Sequence, residues 1–328
     1  MTTVLSIITL FFIVAAILPH IPCQHWLIRV WEFPRLQQAF ILLVLTLVWT
    51  YWYIETPLLA LCMQAGAVCA LLYQLAWVIP YTPFWRTEVN QVPATDDDRT
   101  ISILTSNVLM TNDNYDALIN LTRQRKPDIL VTLESNKDWE QALSVLHDDY
   151  PYRLSCPLEN LYGMHLYSRR PFGNEKIRFI IEDDVPSMEI WQEMAGTQVK
   201  IHFVHPKPPS PTENKSAGPR DKELTRVGKE MAKLKHPAIV TGDLNDVAWS
   251  PTTRKFRKIS GMLDPRRGRG FFNTFHADYP LLRWPLDHVF HTEHFELVKI
   301  ERMPTVGSDH FPLLTTLRLK NNPSVEQA

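Results

Sequence analysis

Eight side chains with useful chemistry stand where short apolar runs stop. Asn107 closes ISILTSN, Glu134 closes DILVTLE and His205 closes TQVKIHFVH. Asp243 and Asn245 lie in AIVTGDLN, Asp287 follows WPL, and Asp309 and His310 occupy the turn GSDH before FPLLTTLRL. A hard cation such as Mg²⁺ takes oxygen ligands and keeps several waters, which one or two carboxylates and an amide can supply. Glu134, Asp309 and Asn107 fit that part. Hydrolysis of a phosphate ester also needs an oriented water and donors for the charge on the non-bridging oxygens. Asp243 suits the water, and Asn245 with His205 or His310 suits the phosphate. An Asp287–His310 pair would fix the imidazole tautomer and raise its basicity.

Taken singly, each residue has a plainer reading: Glu134 as a loop carboxylate, Asn107 as a turn residue, Asp243 as a helix cap. Their joint position at strand ends outweighs this, because ligands gather outside strand ends in α/β sheets.

The elements that must position them begin at Ile101. ISILTSN reads as a strand, Tyr115 to Arg125 as an amphipathic helix and DILVTLE as the next strand. Further strands are expected at GMHLYSR, KIRFII, TQVKIHFVH, PAIVTGDLN, WPLDHVFHT, FELVKIE and FPLLTTLRL, with helices near Arg220 to Lys235 and Pro251 to Ile259. Two packed sheets flanked by helices follow from this pattern.

The first eighty residues differ. Thr2 to Leu18, Ala39 to Ile54 and Leu58 to Ile79 are long apolar runs, and aromatic residues gather where they stop, which predicts three membrane helices. A cleaved signal peptide fits less well, since the first run lacks a basic start and two more runs follow. Glu55-Thr56-Pro57 reads as a hairpin turn, and Gln64 to Ala67 would let neighbouring helices approach closely. Arg29, Arg35 and Arg86 place the remainder in the cytoplasm by the positive-inside rule. The expected organisation is a membrane anchor over residues 1–85, a polar linker over 86–99 and a catalytic domain over 100–322, with the part from about Thr95 active on its own.

Net charge is −1, which announces neither a strong duplex binder nor an acidic tail. Of the four cysteines only Cys156 lies beyond the apolar region, so a disulfide framework or zinc site there is excluded. The basic runs Arg254 to Lys258 and Arg266 to Arg269 read equally as anionic-headgroup contacts or as solvated surface. Residues 206–219, rich in proline, predict a stiff exposed loop beside His205, either a lid or a tolerated insertion.

The ordered motifs Ser106-Asn-Val, Leu133-Glu-Ser, His205-Pro-Lys-Pro, Gly242-Asp-Leu-Asn, Pro285-Leu-Asp-His and Gly307-Ser-Asp-His resemble the endonuclease/exonuclease/phosphatase family. This family includes DNase I-like nucleases, apurinic endonucleases, sphingomyelinases and inositol-polyphosphate phosphatases. The resemblance covers about residues 100 to 320 and implies a four-layered α-β-β-α sandwich with Mg²⁺ or Mn²⁺ as cofactor. It implies metal binding by Asn107, Glu134 and Asp309, phosphate contact by His205 and Asn245, water activation by Asp243, and the Asp287–His310 pair. The apolar N-terminal region resembles that of membrane-anchored bacterial members, in the inner membrane. Leu133 stands where the apurinic-endonuclease and sphingomyelinase branches usually carry Gln, which lowers both of those labels. His202 competes with His205, but a separation of three puts the two on opposite faces of a strand, and His205 lies at its end.

The resulting expectation is a membrane-anchored, metal-dependent phosphoesterase. Its partners would be a phosphate-ester substrate (lipid headgroup, small molecule or nucleic acid) and membrane lipids. A nuclease, or a catalytically silent membrane scaffold, is the alternative.

Overall fold

Alternation along the strands decides how the layers stack. In the computed structural model, which describes residues 2–52, 57–95 and 97–321, successive side chains of each central strand enter different cores. Ile101 and Ile103 face one core with Val131, Ile201, Ile239 and Val289, while Leu104 and Leu130 face another with Trp139 and Leu143. Val240 and Phe290 face a third core with Leu224 and Phe256. Two sheets therefore meet through the first core, and helices cover each outer face, giving the expected α-β-β-α sandwich.

In chain order the elements are α1 (Thr2–Ile17), α2 (Trp26–Arg29), α3 (Arg35–Trp52), α4 (Pro57–Val78), β1 (Thr100–Asn107), α5 (Tyr115–Arg125), β2 (Ile129–Leu133) and α6 (Lys137–Ala142). There follow β3 (Tyr152–Cys156), β4 (Met164–Ser168), β5 (Gly173–Phe179), β6 (Pro186–Met194), β7 (Thr197–Phe203), α7 (Gly218–Met231), β8 (Ala238–Asp243), α8 (Pro251–Ser260), β9 (Asp287–His291), β10 (Phe295–Arg302) and β11 (Leu313–Leu319). The sheets run β10-β11-β1-β2-β4-β3 and β5-β6-β7-β8-β9. Strands β3 and β6 and helix α6 were not expected from the sequence. Strand β6 is charged yet central: its buried Glu189 is satisfied by Lys200 of β7 and Arg178 of β5, pairings invisible to a hydropathy pattern.

Each sheet has a parallel pair, β1 with β2 and β7 with β8, and the flanking β11 and β9 are antiparallel to them. The C-terminal ends of the parallel strands and the starts of β9 and β11 consequently share one rim. Helix α8 begins where the Ser250 hydroxyl accepts from the Thr253 amide and Pro251 follows, and it ends at Gly261 with φ 71°. Its cap is thus Ser250, and Asp243 is not a capping residue.

Two N-terminal helices, Thr2–His20 and Pro57–Tyr81, are long and apolar enough to cross a membrane. The middle expected span qualifies only when α3 is taken with the short helix before it, across a bend of 72°. The expected hairpin at Glu55-Thr56 lies outside the described residues. Helices α1 and α4 touch where Gly66 has no side chain: a Cβ there would lie 2.8 Å from Ile13 Cδ1.

Contacts cross from the N-terminal helices to the sandwich. Trp26 N donates to Lys215 O, Ala217 N to Gln24 O, Arg29 to Thr252 Oγ1 and Trp249 Nε1 to Glu32 O. Val78 and Tyr81 share a core with Val247, Trp249 and Leu286. The stretch expected to be a solvated linker is held as well, since Asn90 and Val92 bond to Leu297 and Glu88 pairs with Arg257.

Candidate active site

Cross-sheet contact at the shared rim builds the site. Thr105 of β1 and Thr241 of β8 touch through their hydroxyls at 3.1 Å, which aligns the two strand ends. Just beyond, the Asn107 side-chain amide donates to Glu134 Oε1 at 2.7 Å and to Asp243 Oδ2 at 3.2 Å, joining a carboxylate from each sheet. Its Oδ1 accepts from Leu109 N at 3.1 Å, so the turn reading of Asn107 is also true. Glu134 leaves β2 in the left-handed region, φ 57°, which turns its side chain to the rim.

Close approach of β7 and β8 requires Gly242. Its φ is 145°, and a Cβ there would stand 1.9 Å from Val204 O. Without that Cβ, Asp243 comes beside His205, whose Nε2 is 3.9 Å from both Asp243 Oδ2 and Glu134 Oε1. His205 is buried and, among the described residues, neither ring nitrogen has a hydrogen-bond partner. His202, the competitor, is buried against Glu189 and does not reach the rim.

Asp287 sits opposite Asp243 in the β8–β9 register. It accepts from His310 Nδ1 at 2.8 Å, while His310 Nε2 lies 3.5 Å from Asp243 Oδ2. Beneath this pair, Arg266 reaches the Asp287 carbonyl and is itself held by Asp264 and His288. Arg266 is therefore buried, not a headgroup contact, and Arg254 lies over the Trp77 ring at 4.2 Å. Asn245, at φ 50°, donates its backbone N–H to Asp243 Oδ1 and its side-chain N–H to Pro206 O.

Burial dominates the electrostatics. It lifts Glu134 to about 8 and Asp243 to about 7, and lowers His205 to about 3. Burial also opposes charge on His310, but Asp287 and Asp243 together raise it to about 10. Burial opposes charge on Asp287 too, and its bonded His310 holds it below the usual carboxylate range.

All eight residues singled out in the sequence lie in this neighbourhood. Glu134, His205, Asn245, Asp309 and His310 line one cleft of about 410 Å³, with Asn107, Asp243 and Asp287 bonded to or beside them. The cleft also takes residues the sequence did not single out: Tyr162, Glu213, Phe275, Trp284, Leu286 and, from the N-terminal segment, Trp26, Val30 and Phe33. Residues 208–211 of the proline-rich loop form one wall. Tyr162 lies 5.3 Å from the His205 ring, and its hydroxyl donates to Glu213. No local pattern marks these residues.

Two carboxylates in reach of one amide, an unpartnered buried imidazole and an unpartnered Asp287 Oδ1 form a donor set with spare capacity, which fits a divalent cation. A second grouping, Asp243, Asp287 and His310, has ligand atoms within 4.8 Å of one another. The Asp287–His310 hydrogen bond already occupies one ligand atom from each, so the oxygen set around Glu134 suits a hard ion better.

The sequence profile described as the Endonuclease/Exonuclease/phosphatase family matches residues 104–310. No curated protein matches the chain. Among solved structures, D. rerio TDP2 complexed with single strand DNA product is similar with a TM-score of 0.57 at 15% identity, over 67% of this chain and 99% of that one. The endonuclease/exonuclease/phosphatase from Beutenbergia cavernae DSM 12333 has a TM-score of 0.53 at 17% identity, covering 67% and 72%. Sphingomyelinase C from Streptomyces griseocarneus has 0.51 at 14%, covering 66% and 99%. At such identities the likeness establishes the fold.

Proposed function

Because the chain belongs to the endonuclease/exonuclease/phosphatase family, whose members are generally divalent-metal-dependent hydrolases of phosphoester bonds, we propose that it is a membrane-anchored phosphoesterase working with Mg²⁺ or Mn²⁺. One observation carries the reading: a single Asn107 amide bonds Glu134 at 2.7 Å and Asp243 at 3.2 Å, next to His205 and His310.

Glu134, Asn107 and Asp309 would hold the cation. Once bound, it would supply Lewis-acid stabilisation of charge on the phosphate oxygens. Asp243, near neutrality through burial, orients a water and takes its proton. His205 and Asn245 contact the phosphate. Asp287 orients the His310 ring through its Nδ1–H and keeps it cationic, so that the Nε2–H donates to the developing negative charge. Residues 1–85 serve as anchor and 100–322 as catalytic domain, with residues 24–33 shared between the two. The positive-inside rule puts the catalytic domain in the cytoplasm.

The test uses the full chain in nanodiscs with bis(p-nitrophenyl) phosphate. Turnover should need Mg²⁺ or Mn²⁺, stop with EDTA, and fall by about 10³-fold or more in Glu134→Gln and Asp243→Asn. Variants within tenfold of the parent would refute the roles. Full binding of lipid without any turnover would favour the silent scaffold.

A further inference from the structure

The cleft has two chemically different linings. Glu134, His205, Asn245, Asp309 and His310 form the polar lining. The apolar lining is Phe275, Trp284 and Leu286 together with Trp26, Val30 and Phe33; Phe275 packs on the His310 ring at 4.9 Å, and Phe33 lies edge-on to Trp284 at 5.8 Å. The wall of Trp26, Val30 and Phe33 comes from the segment between α1 and α3, outside the stretch 104–310 that the family profile matches.

That wall stands at the foot of the apolar helices. Phe33 is two residues before α3, and Gln37 in its first turn donates to Leu281 O at 2.9 Å. Beside this contact Tyr279, Leu281 and Leu282 are exposed, Leu281 by 84%, and Val30 on the wall is 43% exposed. Apolar side chains thus continue from the cleft wall to the foot of the helices proposed to enter a bilayer.

Charge decides what would use the cleft. The residues lining the cleft include Glu134, Glu213 and Asp309 and, among those described, no Lys or Arg; Lys207, over the Tyr162 ring at 5.3 Å, is already paired with Asp184 and Glu182. A nucleic-acid strand needs cations along its backbone as well as rings to stack on. One phosphate ester with an apolar arm needs only the polar lining and the wall.

Resting on the phosphoesterase reading above, we infer that the substrate is an amphiphilic phosphate ester drawn from the bilayer. Its phosphate would sit at the polar lining, and its apolar arm against Trp26, Val30 and Phe33. The anchor would then select the substrate as well as hold the enzyme at its source.

The test uses the full chain in nanodiscs with Mn²⁺ and p-nitrophenyl alkyl phosphodiesters bearing methyl, butyl or octyl arms, which share a leaving group. Each buried methylene is worth about fourfold, so burial of only two or three of the added methylenes makes kcat/KM rise at least about thirtyfold from methyl to octyl. Val30→Glu should cut the octyl-to-methyl ratio by about tenfold or more. Val145→Glu, at a similarly exposed valine outside the cleft, should leave the ratio unchanged, which separates wall contact from simple partitioning into the bilayer. A flat series overturns the inference, as does a Val30→Glu ratio equal to the parent's. Preference for the p-nitrophenyl ester of thymidine 5′-phosphate over the octyl diester overturns it in favour of nucleic acid. No turnover of any member refutes the phosphoesterase reading and this one with it, whereas turnover without chain-length dependence sinks this one alone.

Discussion

Removing residues 1–94 should cost this protein most of its fold, although the sequence reads as a detachable anchor. The loss would uncover Val247, Trp249 and Leu286, now at most 4% exposed and packed with Val78 and Tyr81. At about 1.5–3 kcal/mol for each large apolar side chain, those three account for about 5–9 kcal/mol. Among the hydrogen bonds also lost, five join residues 24–81 to the core region of the sandwich: Trp249 Nε1 to Glu32 O, Tyr81 to Ala248 O, Arg29 to Thr252, Trp26 N to Lys215 O and Ala217 N to Gln24 O. At about 1 kcal/mol net each, these five bring the loss to about 10–14 kcal/mol. Whole domains are stable by about 5–15 kcal/mol. The piece from Thr95 onward should therefore aggregate or lack near-ultraviolet circular dichroism, while the full chain in nanodiscs melts cooperatively. A cooperative melt of the piece within about 5 °C of the full chain would show that the shared core contributes little, and the reasoning would fail.

The carboxylates make metal stabilisation depend on pH. Glu134 and Asp243 sit above their ordinary range, so without metal their contribution is fullest in acid and is lost as pH rises through about 7 to 8. The rise in Tm on adding Mn²⁺ should be larger at pH 8 than at pH 6, and an equal or smaller rise at pH 8 contradicts the assignment. Gly242→Ala would drive a Cβ to 1.9 Å from Val204 O. A loss above about 4 kcal/mol with no residual turnover is expected, and a parental melt with parental kcat counts against the Gly242 argument. Arg220 is buried and bonds Asn245 O at 2.7 Å while pairing with Asp246 and Asp221. Its change to Ala should cost about 3–5 kcal/mol by leaving Asp246 unpaired. That lowers Tm by about 6–20 °C in a domain of this size, and a shift under about 2 °C contradicts it.

The sequence by itself determined the local elements and the chemistry at their ends. Short apolar runs placed β1, β2, β4 and β7 to β11 within a few residues, helix α5 was placed at its observed limits, and the polar residues at strand ends pointed to the rim. It also located the apolar helices, because length and hydropathy are local properties. Tertiary structure alone decided which strand ends meet, since that depends on two sheets packing face to face and on the room Gly242 leaves beside Val204. It likewise decided that Arg266 is buried, that charged β6 is central, and that the cleft borrows Trp26, Val30 and Phe33. The Glu32 carbonyl and the Arg29 guanidinium bond Trp249 and Thr252, which stand 217 and 223 residues along the chain. No periodicity carries information across such a distance; only packing brings those groups together and excludes the water that would otherwise satisfy them.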